Sequence, residues 1–194
     1  MAKRLLYKEE QKNKALWIKL MMIAVSLVVL VPFYVGLYKQ LVLGISFGKQ
    51  EMSNGGLVLF VLMMTVIILV ADWIVFGSKL VIEIDTQSVK FRYPPLIPKY
   101  RVIHRSTIKS YEVRQYKPVW EYGGWGIKAG RTRGGIFNKK HRKRLSSRNM
   151  AYTISGNKGL QLYLKNGREV LLGTERPEAI AKAMKRMFEE NLNV

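Results

Sequence analysis

Two long apolar runs, Leu20–Tyr38 and Met52–Ala71, constrain this chain more than anything else in it, because neither contains a charged residue. A helix rises ~1.5 Å per residue, so ~20 residues cover the ~30 Å hydrocarbon core of a bilayer. The pair therefore reads as a transmembrane hairpin over residues 20–78, with spans at about 16–43 and 52–76. A secretory signal is the competing reading of the first run, but a signal's apolar region is usually ~7–15 residues. Gly44 and Ser46 resemble a cleavage site only after Lys39 and Gln40 intervene, and the second run would remain in any case.

Details within the runs agree with an anchor. Pro32 removes one backbone donor and predicts a kink one turn earlier. Trp17, Trp73 and Phe76 near one end, with Tyr34 and Tyr38 near the other, suit interfacial belts. Asp72 is the one acid close to a span, and its place near the end of the second run reads as interfacial rather than as part of a proton or ion path. Two spans without further polar groups do not make a transporter.

The formal net charge of +20 sits on the two arms that flank the hairpin. Residues 1–19 carry six Lys/Arg against two Glu, and residues 79–194 carry 25 against nine Asp/Glu, whereas the 40–54 connection has Lys49 against Glu51. Excess Lys and Arg marks cytoplasmic segments, so both termini are expected in the cytoplasm and 1–19 is expected to be a basic N-terminal arm. There is no cysteine, which excludes disulfides, thiol catalysis and cysteine-based metal sites. The two histidines, His104 and His141, are far apart, so no histidine-rich metal site is expected.

After Lys79 the period changes to two. Leu80, Ile82 and Ile84 alternate with Val81 and Glu83, and Val89, Phe91 and Tyr93 alternate with Lys90 and Arg92 across an Asp85–Ser88 turn. Pro94, Pro95 and Pro98 are expected to stop regular pairing. Short strands follow at Arg101–His104, Ile108–Gln115, Trp125–Lys128, Ala151–Ser155, Leu160–Leu164 and Glu169–Leu172, with Asn166-Gly167 a strong hairpin signal. Pro177 suits a first helical position. Ile180, Ala183, Met184, Met187 and Phe188 then form one apolar stripe at helical spacing. The expected class is α+β: a two-helix transmembrane hairpin, then an antiparallel β-sandwich or barrel of about seven strands over 79–194, closed by a C-terminal amphipathic helix.

Four stretches carry a resemblance to a known family. They are Tyr111-Glu112-Val113-Arg114, Glu121-Tyr122-Gly123-Gly124-Trp125-Gly126-Ile127, Ser155-Gly156-Asn157-Lys158-Gly159 and Leu172-Gly173-Thr174-Glu175-Arg176-Pro177-Glu178. With the anchor, they resemble bacterial membrane proteins that join two transmembrane helices to a bacterial pleckstrin-homology-like (PH-like) domain. The resemblance implies a PH-like fold, a multi-pass place in the bacterial inner membrane, and self-association. It carries no catalytic residue, cofactor or ligand onto this chain, and the basic segment 131–148 looks like an elaboration of the shared pattern.

Two surfaces emerge as candidates. Tyr122 and Trp125, among three glycines, form a candidate interaction surface, although the spacing fits neither a P-loop nor a dinucleotide fingerprint. Within the basic loop 129–149, Arg131, Arg133, Lys139, Lys140, Arg142, Lys143, Arg144 and Arg148 occur without one acid. Held near an anionic leaflet, each cation is worth up to ~1 kcal/mol before screening, which makes these eight candidate anionic-lipid contacts. Phe137 is the loop's only aromatic and no helix-turn-helix pattern is visible, which speaks against nucleic acid. No carboxylate pair is placed at a cleft. The expected function is a non-enzymatic, membrane-anchored interaction or scaffolding module acting on a protein partner or on itself. The alternatives are a lipid-sensing or lipid-organising module using the basic loop, and a membrane-bound enzyme of unknown reaction.

Overall fold

The computed structural model describes residues 4–14, 16–46, 48, 52–130 and 149–189. They form two units, one from residues 14–77 and the other from residues 1–13 together with 78–194.

The first unit holds two helices, α1 (Leu16–Val42) and α2 (Asn54–Gly77), both long and apolar enough to cross a membrane. α1 runs through Pro32 without interruption. Their mutual seam is made by the Phe33 and Phe60 rings, 5.4 Å apart and edge to face, and by two polar pairs. Ser26 donates to Asp72 Oδ2 at 2.9 Å, and the Tyr34 and Thr65 hydroxyls lie 3.0 Å apart. Asp72 thus bonds across to the other helix. At the connected end Gln40 donates to the Met52 carbonyl and to Asn54 Oδ1. Only Gly36, Leu57 and Val61 are buried in these helices, so their apolar side chains face outward nearly all round.

The second unit begins with a strand that the sequence reading placed in a basic arm. β1 (Leu5–Lys12) pairs antiparallel with β2 (Lys79–Asp85), joining Lys12 to Lys79 and Glu9 to Ile82. β3 (Ser88–Tyr93) and β4 (Ile97–His104) complete a four-stranded antiparallel sheet in the order β1-β2-β3-β4. Pro98 lies inside β4 where the regular β3–β4 register breaks, between the pairs Phe91–Arg101 and Tyr93–Ile97. Its missing N–H is tolerated there because β4 is an edge strand.

A 3-10 turn at Arg105–Thr107 leads into β5 (Ile108–Gln115), the short helix α3 (Pro118–Tyr122), β6 (Gly126–Ala129), β7 (Asn149–Thr153), β8 (Lys158–Leu164), β9 (Glu169–Gly173) and α4 (Pro177–Glu189). The second sheet runs β5-β8-β9-β7-β6. Its β7–β9 pair is parallel, which corrects the all-antiparallel expectation. Two separate sheets of four and five strands with a C-terminal helix make the class α+β, and no closed barrel forms.

Leu80, Ile82 and Ile84 of β2, Phe91 of β3, Leu160 and Leu162 of β8, Leu172 of β9 and Ile180, Met184 and Met187 of α4 share one core, each at most 2% exposed. At ~25 cal/mol per Å² of apolar surface, each such side chain contributes roughly 1.5–3 kcal/mol.

β1 is held by polar groups instead. Glu9, 4% exposed, accepts from the Tyr7 hydroxyl, from Thr174 Oγ1 at 2.7 Å and from the Glu175 N–H at 2.8 Å. Gln11, wholly buried, donates to the Gly173 carbonyl at 2.7 Å. Arg176 donates to the Lys8 carbonyl and lies over the Tyr7 ring at 5.2 Å. Burial and then the adjacent Glu9 carboxylate push the Tyr7 hydroxyl far up, so it stays a donor. The Gly173–Arg176 stretch is therefore the clasp that closes the domain over its N-terminal strand.

The β2–β3 turn shows a second buried carboxylate. Asp85 accepts the Gln87 and Ser88 N–H groups at 2.8 and 2.6 Å and pairs with Lys90 at 2.8 Å. Burial alone would raise it, but these partners outweigh burial and hold it below its ordinary value of 3.8.

Two outcomes follow. Glu9→Ala strips three donors of one buried acceptor, and should lower stability by roughly 2–4 kcal/mol in thermal melts of the detergent-solubilised chain. An unchanged midpoint would show that β1 is not held this way. Because the Asp85 pKa is lowered by folding, its contribution is complete above its ordinary value of 3.8 and is lost as pH falls through the lower folded-state value. Melting midpoints should drop with acidification in that window, and Asp85→Asn should flatten that part of the curve.

Candidate functional site

The outer face of the five-stranded sheet is also covered, and the cover is α3. Leu171 of β9 and Ala151 of β7 point away from the main core yet are fully buried, because Tyr116 and Tyr122 lie over them. The two tyrosine rings meet edge to face at 6.1 Å. Burial pushes the Tyr116 hydroxyl up to about 12 and raises Tyr122 as well, so both remain neutral at physiological pH.

The helix is framed at both ends. Pro118 occupies its first turn, and the Lys117 N–H donates to Glu121 Oε1 at 2.9 Å. At the other end the Gly123 N–H bonds the Val119 carbonyl and the Gly124 N–H bonds the Pro118 carbonyl, both at 2.9 Å. The bond from Gly123 to Val119 is an αL closure, and Gly123 at φ 71° supplies the left-handed residue it needs. Arg114 of β5, nearly buried, ties the frame to the sheet through Glu121 Oε2 at 2.9 Å, the Tyr122 hydroxyl at 3.2 Å and Gln161 Oε1 at 3.2 Å.

What the frame displays is apolar. Trp120 is 76% exposed and Val119 62%, above a recess of about 540 Å³ lined by Gln115, Tyr116, Pro118 and Asn157 among others. Trp125 is 44% exposed, and its indole N–H donates to the Gly156 carbonyl at 2.8 Å, which fixes the ring. The Tyr116 N–H bonds the Asn157 carbonyl at 2.8 Å. Main-chain carbonyls of the β7–β8 turn thus hold both ends of the displayed segment.

Of the two aromatic residues singled out from sequence, the structure leaves Trp125 at the surface and puts Tyr122 inside. Trp120 and Val119 were missed, although an apolar pair directly after a proline at a helix start was there to be read. Arg131, Arg133, Lys139, Lys140, Arg142, Lys143, Arg144 and Arg148 all lie outside the described residues, but the root of their loop does not. β6 and β7 pair antiparallel, and the Gly130 N–H bonds the Asn149 carbonyl at 2.7 Å. A Cβ on Gly130 would collide with the Tyr122 ring, so the last described residue before the basic segment packs against α3.

Chemically this surface is apolar and aromatic. Its one carboxylate, Glu121, is committed to Lys117 and Arg114. Among the described residues no three His, Cys, Asp or Glu side chains converge in a metal-binding group. No protein-family model matches the chain, and no curated protein matches its sequence. Fold and site together define a mixed α+β domain, built on either side of a two-helix apolar insertion, that presents a framed aromatic turn.

Gly130→Val should push Tyr122 out of place and cost roughly 1–3 kcal/mol. Near-UV circular dichroism should lose tyrosine signal, and protease should cut at 117–126 faster. An unaltered spectrum and cleavage rate would mean that the loop root and α3 are not packed as one unit.

Proposed function

We propose that this chain is a non-enzymatic, membrane-anchored interaction module, in which a PH-like domain on the cytoplasmic side presents α3 to a protein partner. The observation that carries the reading is the exposure of Trp120, Val119 and Trp125 on a frame whose every end is hydrogen-bonded. Large apolar side chains held rigid at the surface lose little entropy on docking, which is how a few residues come to dominate an interface. Anchorage is supported by two helices whose apolar side chains face outward on nearly all sides, a surface that water does not tolerate but lipid does. The cytoplasmic side is supported by the cations on both flanking arms.

A photo-crosslinking amino acid in place of Trp120, activated in native membranes, should give discrete protein adducts, with a second copy of the chain as one admissible partner. Adducts to lipid alone, or none, would defeat the reading. Orientation has a separate test, since the chain has no cysteine of its own. A lone Cys at position 49 should be labelled by an impermeant maleimide from outside intact cells, and one at position 99 should not.

The lipid reading keeps one specific support, namely that Gly130, next in sequence to the eight-cation segment, packs against Tyr122 of the helix that displays Trp120. In that case anionic phospholipid should be enriched around the full chain in mixed bilayers at low salt. The enrichment should vanish when 131–148 is deleted.

A further inference from the structure

A second cleft lies between the two sheets, where β4 faces the β8–β9 turn, and nothing in the reading above uses it. Its volume is about 370 Å³. Phe91, Ile103, Leu164 and Val170 line it with apolar surface, and Arg101 and Arg168 line it from opposite sheets. No acidic residue is among its lining.

The polar groups of this cleft are arranged as donors. Arg101 donates one N–H to the Tyr152 hydroxyl at 2.7 Å and sits over that ring at 5.8 Å. The phenol oxygen accepts that bond, so its own proton is available to a ligand. The Asn166 carbonyl oxygen accepts the Arg168 N–H at 3.1 Å, which leaves the Asn166 amide N–H groups available. Neither arginine has an acidic partner among the described residues, although other cations of this domain, Lys8, Lys90 and Arg114, are paired with Glu83, Asp85 and Glu121. Two unpaired guanidiniums on facing walls, a phenol and an amide, all above an apolar floor, match an oxyanion carried on an apolar body.

We propose that this cleft binds a phosphate ester with an apolar substituent, Arg101 and Arg168 gripping the phosphate and Phe91, Ile103, Leu164 and Val170 receiving the substituent. The same chemistry is offered by a soluble organic phosphate and by an anionic phospholipid. No residue of α3 lines the site, and it stands whether or not α3 binds a protein.

The test uses the full chain in neutral-detergent micelles. Phenyl phosphate is titrated calorimetrically, and phosphatidic acid, with phosphatidylcholine as the uncharged-headgroup comparison, is followed by native mass spectrometry. Arg101→Gln/Arg168→Gln should weaken binding of the preferred probe at least tenfold, and deletion of 131–148 should leave it unchanged. Asn166→Asp, which alters only an exposed turn residue and sets a carboxylate beside Arg168, should weaken it as well and covers the case in which the double variant folds poorly. Binding of phenyl phosphate alone identifies a soluble ligand, and selective retention of phosphatidic acid alone identifies a lipid. The proposal is overturned if neither probe binds, if Asn166→Asp binds as tightly as the parent, or if the loop deletion removes the binding.

Discussion

The pairing of β1 with β2 is the constraint on which the rest of this molecule depends. It makes one domain from two pieces of chain, with the entire apolar hairpin inserted between neighbouring strands. The hydrophobic effect alone does not choose the register, because Tyr7 shares the inward positions of β1 with Glu9 and Gln11. Directional bonds to Gly173, Thr174 and Glu175 choose it with that burial. A buried carboxylate with three donors is tolerable, and one without them is not. The clasp therefore couples the first strand to the last connection before α4. The two apolar helices lie in the chain between β1 and β2, so the closed β1–β2 pair joins the segments that flank them.

The second sheet solves a different problem. Its inner face joins the main core, and its outer face would be left wet if α3 did not lie over Leu171 and Ala151. α3 is too short to be stable alone, so it is held by Arg114, by its own capping bonds and by the β7–β8 turn. Rigidity acquired for a structural reason is then available for display. Tyr122 goes in to cover the sheet, and Val119 and Trp120 are left out. The four stretches that carried the family resemblance meet in these two places: three build the α3 frame and the fourth is the clasp.

Much of this was legible in the sequence, for reasons that can be named. Period-two patterns at 80–84, 89–93 and 160–164, the Asn166-Gly167 turn and the stripe from Ile180 to Phe188 are set by burial on one face, and they lie in β2, β3, β8, the β8–β9 turn and α4. β1 escaped notice because its inward residues other than Tyr7 are polar and its outward ones are mostly charged, so no apolar alternation marks it. The parallel β7–β9 pair escaped because register between distant strands leaves no local trace. Val170-Leu171-Leu172 did carry a signal that went unused, since three consecutive apolar residues in a strand mean that both faces are covered. At the candidate site, glycines and aromatics pointed to the right segment. Which ring faces inward depended on Gly130 and Arg114, both remote from it in helical spacing.

The split domain sets the order in which this protein can be made. β1 leaves the ribosome first, but its partner strand starts at Lys79, after both apolar helices have been synthesised. Until then the strand has no sheet to join, and Glu9 has neither Thr174 nor Glu175 to satisfy it. Completion of the domain is thus deferred until the hairpin has left the ribosome and its chain has turned back. Shortening the chain to residues 79–194 does not isolate the domain, because it removes an edge strand and leaves the clasp with nothing to hold. A version without the two apolar helices needs Lys12 joined to Lys79 by a short turn, which makes β1 and β2 an ordinary hairpin.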